Sequence, residues 1–247
     1  MLAALKTLRW LLLAVLPCLA LRCQPGCDLC SEPLCEGQYQ GGLSLRPASL
    51  TWLPAPAPDS LRFVNSNGFR AVLDRVRMPA APDSVLLPAF ISTQPAYSEA
   101  QLNPVARFCG AYFRARRVAW HYQGRNLNLD LQFNLLKYPG TDPAASAVPL
   151  TRAGADTLPD VVVVAFNQQY YAEFPVGRAP YRQPRPTSLG TAVYLDSVQL
   201  AGRKFFGVYQ FSRQHFTPGV QPQRFYFRPG QGLVGFIYSN NEQWALL

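Results

Sequence analysis

The feature that most constrains the fold is a strict two-residue alternation of polar and apolar side chains between positions 126 and 135. The polar positions are Asn126, Asn128, Asp130, Gln132 and Asn134, and the apolar ones are Leu127, Leu129, Leu131, Phe133 and Leu135. Successive side chains of a β-strand point to opposite faces of its sheet, so this period indicates a strand. We therefore predict an antiparallel sheet with one dry face and one wet face, and Asp130 on the wet face.

Several other segments have the composition of strands separated by turns. Strands are predicted at 61–63, 69–77, 117–122, 160–166, 191–200, 203–212, 224–228, 233–238 and 243–246. Four consecutive valines within 160–166 predict burial on both faces of that strand. The pairs Ala201-Gly202 and Asn240-Asn241 predict tight hairpin turns. Helix signals are confined to Ser98–Gln101, where capping-box spacing is soon followed by Pro104.

The composition agrees with a folded, strand-rich chain. Hydrophobic residues make up 49% of the 247 residues, which excludes a disordered chain with too little apolar surface to bury. Charged residues are only 15% and there are 23 prolines, which favours short strands and long loops, the latter at 138–159 and 175–189. The predicted fold class is all-β or mainly β: an antiparallel sheet, as a sandwich or open-barrel-like meander, with at most one or two short helices.

The first 22 residues have the organisation of a secretion signal. Lys6 and Arg9 precede an apolar run from Trp10 to Leu21. As a helix this run would reach only about 18 Å, against roughly 30 Å of hydrocarbon in a bilayer. A secretory signal is therefore predicted rather than a membrane span. We expect an exported protein that resides in the periplasm, in the outer membrane or at the cell surface.

Five of the six cysteines follow this signal. Cys23 and Cys27, which come soon after the apolar run, are the candidate sites of a lipid anchor. Export favours disulfides in an oxidising compartment, and Cys27, Cys30, Cys35 and Cys109 are the candidates. The close spacing also fits zinc or an iron–sulfur cluster, but no strand–helix alternation and no obvious fourth ligand accompany it. No metal site and no cofactor is predicted.

Proline spacing sets the predicted domain boundaries. Alternating alanine and proline over 55–58 predicts an extended spacer, because proline interrupts helices and central strands. The chain is thus divided into a secretion signal (1–22), a Cys/Pro-rich leader and spacer (23–60) and a single β-rich domain (61–247).

One segment interleaves arginines with aromatic residues and is the candidate binding patch. Its proposed members are Arg114, Arg116, Arg117, Trp120 and Arg125. Such a pattern suits nucleic acid in a cytoplasmic protein, but export argues against that partner. An anionic envelope glycolipid or polysaccharide fits an exported chain better, and arginines solvated along one strand face are the simpler alternative.

The C-terminal third resembles small exported lipoproteins of Bacteroidetes-type bacteria, many of which have no assigned function. The resemblance is carried by LDSVQLAGRKFFGVYQF at 195–211, FYF at 225–227, GLVGF at 232–236 and EQWAL at 242–246, together with the N-terminal signal and cysteines. In such proteins a glycine turn and a "xVYxF" strand precede a "GLVxF" strand and a final tryptophan strand. The resemblance implies a β-rich exported protein and supplies no catalytic motif.

The search for catalytic residues identifies none. Glycine-rich nucleotide loops, the serine hydrolase elbow and the zinc protease motif are all missing from the sequence. The expected function is a non-catalytic binding or assembly role in the cell envelope, with a membrane reached by a lipid anchor and a glycan, glycolipid or protein partner. Two alternatives stay open: a polysaccharide hydrolase using two of Asp130, Glu173, Asp196 and Glu242, and a carrier that holds an apolar ligand inside a β-calyx.

Overall fold

The computed structural model describes residues 39–76, 84–88, 112–137, 152–177, 179–187, 189–214 and 218–247. All of them belong to one compact unit, formed by residues 38–106 and 110–247. The described chain is mainly β, a curled, largely antiparallel half-barrel sheet with two short helices, which confirms the predicted fold class.

Fourteen strands and two helices make up the described part. The strands are β1 (Tyr39–Leu43), β2 (Ser60–Asn65), β3 (Arg70–Val76), β4 (Ser84–Pro88), β5 (Tyr112–Gly124), β6 (Asp130–Lys137), β7 (Asp160–Phe166), β8 (Tyr170–Pro175), β9 (Arg185–Pro186), β10 (Gly190–Leu200), β11 (Arg203–Arg213), β12 (Pro222–Arg228), β13 (Gly232–Tyr238) and β14 (Gln243–Leu246). The helices are α1 (Pro47–Leu50) and α2 (Arg152–Thr157). Neither helix is long enough to cross a membrane, and no other described segment is a membrane-spanning helix.

The sheet runs in the order β8-β7-β6-β5-β3-β2-β14-β13-β12-β11-β10-β9. The thirteen-residue strand β5 belongs to four ladders. Its first half pairs with β4 and, in parallel, with β1, and its second half pairs with β3 and β6. Antiparallel pairing of β14 with β2 joins the C-terminal meander to the N-terminal strands.

Two predicted elements are confirmed in detail. Strand β7 is buried along its whole length, as the valine run predicts for a strand covered on both faces. Strands β10 and β11 form a hairpin around Ala201 and Gly202, whose φ angles of 43° and 79° lie in the left-handed region. Asn241 occupies the same region in the turn before β14, with φ 65°.

The concave face of the curled sheet holds the main core. Its largest fully buried rings are Phe63, Tyr122, Phe166, Phe174, Phe211, Phe225, Phe227 and Phe236. Phe174 of β8 lies 5.1 Å from Phe227 and 6.1 Å from Phe211, measured between ring centroids. These contacts hold the β8 edge against β11 and β12, so the interior of the half-barrel is filled by side chains.

The predicted alternation of a wet and a dry face is confirmed only as far as the first half of β6, where Asp130 and Gln132 are partly exposed and Leu131 is buried. The second half of the strand is buried on both faces. A second cluster, which includes Phe113, Leu136 and Val163, covers the opposite face of β5, β6 and β7, with side chains from β1 and α2. Asn134 is therefore only 4% exposed. Asp130, predicted to be solvated, is partly buried with 23% of its side chain exposed.

Part of the predicted leader and spacer (23–60) is described, from Tyr39 onward, and it packs against the sheet. The segment supplies β1 and α1, and it places Trp52 and Leu53 in the main core with 6% and 3% exposure. The indole of Trp52 lies 4.8 Å from the ring of Tyr209. Burial of these two side chains provides a hydrophobic reason for the segment to fold back onto the sheet.

A buried polar cluster attaches this segment to the sheet. Asp160, which is fully buried, accepts hydrogen bonds from the backbone N–H of Arg46 (2.9 Å) and the hydroxyl of Ser49 (2.5 Å). The Nζ of Lys137 lies 3.5 Å from the other oxygen of Asp160 and donates to the carbonyl of Leu158 at 3.0 Å. Both charges are thus compensated inside the protein, as buried charges require.

The helix predictions had mixed outcomes. The candidate helix start at Ser98–Gln101 lies outside the described residues. Helix α2 falls within the stretch 138–159 that was predicted as a loop. The predicted loop at 175–189 contains only the two-residue strand β9 among its described residues.

Candidate functional site

The candidate site is an open groove of about 500 Å³ on the β10–β11 hairpin. Its lining consists of Pro180, Tyr194, Asp196, Phe206, Gly207, Tyr209, Arg228 and Pro229. The strands β10 and β11 supply the floor, the end of β12 supplies one wall, and the connection between β8 and β9 supplies the other. Its size is within the usual range for small-molecule sites.

A glycine inside a strand shapes the floor. The ladder pairs Leu195 with Val208 and Ser197 with Phe206, which places Gly207 opposite Asp196. Gly207 has φ +64°, a conformation that costs a residue with a Cβ free energy. The missing side chain leaves room beside Tyr194, whose hydroxyl would be 3.6 Å from a Cβ at this position.

Aromatic rings pack together in the floor. The ring of Tyr209 lies 4.8 Å from Tyr181, 5.3 Å from Tyr194 and 4.8 Å from Trp52. Burial raises the pKa of the Tyr209 hydroxyl, and nearby Tyr194 raises it further. Burial likewise raises the pKa of Tyr181, so both hydroxyls stay protonated at neutral pH. A phenol in this state both donates and accepts hydrogen bonds.

An exposed ion pair borders the floor. Arg182 donates two hydrogen bonds to the carboxylate of Asp196, at 2.8 and 3.0 Å. The two side chains are 70% and 68% exposed. The guanidinium also lies 5.7 Å from the ring centroid of Tyr194, and its hydrogen bonds to Asp196 raise the pKa of Arg182. The negative charge of Asp196 is therefore compensated by Arg182, while its carboxylate stays in contact with water.

Two further cations stand at the groove. Arg228 lines it and donates to the side-chain oxygen of Gln231 at 3.2 Å. The Nζ of Lys204 lies 5.0 Å from the ring centroid of Phe206. Phe206 itself is 57% exposed, so it presents an apolar surface to solvent. Within the described ranges neither Lys204 nor Arg228 has a carboxylate partner, and the groove therefore carries excess positive charge.

The members of the arginine-rich patch predicted from the sequence are distributed along β5 and the residue that follows it. Arg114 and Arg116 are exposed near the start of β5, and Trp120 is half-buried against the main core. Arg117 is only 8% exposed. Arg125 follows the end of the strand and is bound to Asp74 through two hydrogen bonds of 2.8 and 2.9 Å. At about 3.3 Å per residue, the two ends of the patch are far apart.

The other predicted site residues divide into two groups. The lipid-anchor and disulfide candidates Cys23, Cys27, Cys30, Cys35 and Cys109 lie outside the described residues. The four acidic candidates of the hydrolase alternative are described, and each has its own surroundings. Asp130 contacts His121 at 2.5 Å, and Glu173 is 1% exposed on β8. Asp196 binds Arg182, and Glu242 accepts a hydrogen bond from Asn65 at 2.7 Å.

Among the described residues, the contact between His121 and Asp130 is the one feature with the form of a catalytic dyad. The strand partners that flank it are Gln132, opposite His121, and Gln123, opposite Asp130. These are amides, whereas a nucleophilic triad requires a hydroxyl or thiol beside the histidine. Within the described part of the chain, no group of three or more His, Cys, Asp or Glu side chains forms a metal site.

No family model, no curated protein and no solved structure matches this chain. From the sequence, Asp196 is only one of four candidate acids. A glycine within the pattern of β11 was the available signal, because glycine inside a strand marks a bulge or a close approach.

Proposed function

We propose that this chain is an exported cell-envelope protein, held at a membrane by a lipid on Cys23 or Cys27, whose β-rich unit is a non-catalytic binding module. The observation that carries the binding role is the groove on β10–β11, where exposed Phe206 stands beside polar and charged side chains. Apolar surface together with a few converging polar groups is the usual composition of a ligand site. The partner is an envelope glycan, glycolipid or protein.

The surroundings of the acidic residues support binding over hydrolysis. Glycosidases that use two carboxyl groups hold them about 5–10 Å apart across the bond to be cleaved. Asp196 is the one carboxylate among the described residues that line the groove, and both of its oxygens accept from Arg182. A carboxylate in this arrangement suits recognition of hydroxyl groups.

The filled interior favours a surface site over a carrier. A calyx for an apolar ligand needs an enclosed apolar cavity. The concave face of the described sheet is instead occupied by rings such as Phe166, Phe174 and Phe227, each at most 1% exposed. The groove on the β10–β11 hairpin is open to solvent and accessible without rearrangement.

The binding role is tested by retention of the purified protein in gels that contain isolated envelope polysaccharide. We expect retardation that Phe206→Ala reduces and Phe69→Ala does not, because Phe69 is a similarly exposed phenylalanine (69%) in the turn between β2 and β3. Release of new reducing ends by the wild-type protein, lost in His121→Ala, would instead favour the hydrolase alternative.

Export and anchoring are tested separately, by the mass of the mature N-terminal peptide and by cell fractionation. We expect a lipid-modified cysteine at position 23 or 27 and recovery with the membrane fraction. A Cys23→Ala, Cys27→Ala double variant should leave that fraction. Recovery of an unprocessed chain beginning at Met1 in the cytoplasm would contradict the proposal.

A further inference from the structure

We infer that the groove on β10–β11 recognises an acidic saccharide, a pyranose chain that carries carboxylate or phosphate groups. This inference rests on the proposed binding function and specifies its ligand class. Three properties of the groove support it: the distribution of charge, the exposed aromatic surface and the arrangement of hydrogen-bonding groups.

The charge distribution selects an anion. Among the described side chains that line the groove or contact its lining, Arg182, Lys204 and Arg228 are cationic and Asp196 is anionic. The bidentate contact with Arg182 compensates Asp196. Lys204 and Arg228 are left to meet an incoming anion, and arginine binds carboxylate and phosphate groups through charge-assisted hydrogen bonds.

The aromatic surface selects a ligand with one apolar face. Phe206 is 57% exposed, which is unusual for a ring of its size in the middle of a strand. One face of a pyranose ring consists of C–H groups, which pack on an aromatic ring while the hydroxyl groups at the rim stay free. Lys204, 5.0 Å from the centre of the ring, is placed to meet a charged substituent of a sugar stacked there.

The hydrogen-bonding groups suit hydroxyls. The carboxylate of Asp196 has further lone pairs beyond those used by Arg182, and Asp196 and Arg182 are both about two-thirds exposed. The hydroxyls of Tyr194 and Tyr209 add groups on the floor that can both donate and accept hydrogen bonds. Because Gly207 has no side chain, a ring can approach this floor closely.

The experiment measures binding of the purified protein to two defined probes, tetragalacturonate and neutral cellotetraose, by titration calorimetry at low and high salt. We expect tetragalacturonate to bind about tenfold or more tightly than cellotetraose at low salt, and this preference to shrink as salt screens the charges. Arg228→Ala should weaken tetragalacturonate binding about tenfold and affect cellotetraose little.

Two matched controls separate the groove from the rest of the surface. Phe206→Ala should weaken both probes about fivefold, whereas Phe69→Ala should change neither. Arg70→Ala removes an exposed arginine beside Phe69 and should leave the preference for tetragalacturonate intact. All four variants change exposed side chains, and an unchanged thermal midpoint shows that each is folded.

The possible results identify which statement fails. Equal binding of the two probes, sensitive to Phe206→Ala, would overturn the acidic ligand class and leave the proposed binding role standing. Tighter binding of a single-stranded DNA oligomer than of tetragalacturonate would overturn the saccharide in favour of nucleic acid. Absence of binding to both saccharides overturns this inference, and the proposed function fails as well only if retention by envelope polysaccharide is also absent.

Discussion

Two of the ion pairs among the described residues, Lys137–Asp160 and Arg182–Asp196, have completely different surroundings. Lys137 and Asp160 are 4% and 0% exposed and hold the segment around α1 to β6 and β7. Arg182 and Asp196 are 70% and 68% exposed and lie at the groove. The buried pair is part of the framework, because a buried charge without its partner is costly. The exposed pair adds little stability, so it is free to serve recognition.

The largest effect is expected at the buried pair. Asp160→Ala removes the acceptor for Ser49 and the backbone of Arg46 and leaves the Lys137 ammonium buried without an anion. We expect the free energy of unfolding to fall by about 3–5 kcal/mol, measured by urea denaturation. A loss below that caused by Asp196→Ala would reverse the comparison between the two pairs.

The contrast between buried and exposed polar groups extends to Tyr122, which is 1% exposed and donates to the carbonyl of Pro58 at 3.0 Å. Burial raises the pKa of this hydroxyl to about 12 from its ordinary 10.0, with the nearby Arg75 acting in the opposite direction. Between these values the unfolded chain loses the proton first, so stability is full below pH 10 and falls as the pH rises towards 12.

The expected loss over this range is about 2–3 kcal/mol for Tyr122 alone. Tyr238, whose pKa burial also raises to about 12, adds to the slope. Urea denaturation at a series of alkaline pH values measures this loss of stability. In Tyr122→Phe the free energy of unfolding should fall less steeply with pH. Parallel stability curves for the variant and the wild type would show that this hydroxyl does not titrate with unfolding.

A smaller effect is expected in the floor of the groove. Gly207→Ala forces a residue with a Cβ to adopt φ +64°, which should cost about 1–2 kcal/mol. Gly42→Ala is the matched control, since a Cβ there would also lie 3.6 Å from a tyrosine hydroxyl, that of Tyr39, without a positive φ. Thermal denaturation of both variants separates backbone strain from crowding, and equal losses would refute the strain argument.

The smallest effect is expected at the exposed pair. Asp196→Ala should leave the urea midpoint unchanged within error, because water solvates both partners. The same variant should weaken ligand binding, since it removes an acceptor from the groove. A drop in stability comparable to that of Asp160→Ala would mean that Arg182 and Asp196 also belong to the framework.

The strands were predictable because their signals are local. The valines of β7 and the turn at Ala201-Gly202 carry their information in adjacent residues, and both are confirmed. Asn134 was predicted to be exposed and is buried, because the side chains that cover it come from distant parts of the chain. The burial of Trp52 was not predictable for the same reason, since proline spacing says nothing about which sheet a segment packs against.

The groove was less predictable than the fold. Asp196 lies on β10, whereas Arg182 lies in the proline-rich connection between β8 and β9. Only folding brings the two side chains together. The arginine cluster around β5 is evident from composition alone, yet Arg114 lies near the start of this strand and Arg125 follows its end. Charge counts along a sequence do not reveal which cations keep a carboxylate partner.

The pairing of β14 with β2 imposes an order on biogenesis. Asn65 at the end of β2 bonds to Glu242 beside β14, although 177 positions separate them along the chain. During synthesis, β2 therefore emerges long before the strand that completes its edge, and an unpaired edge is a template for aggregation. Such non-local closure is slow. Closure of the sheet therefore waits for the C-terminal strands, and the edge of β2 stays open until they arrive.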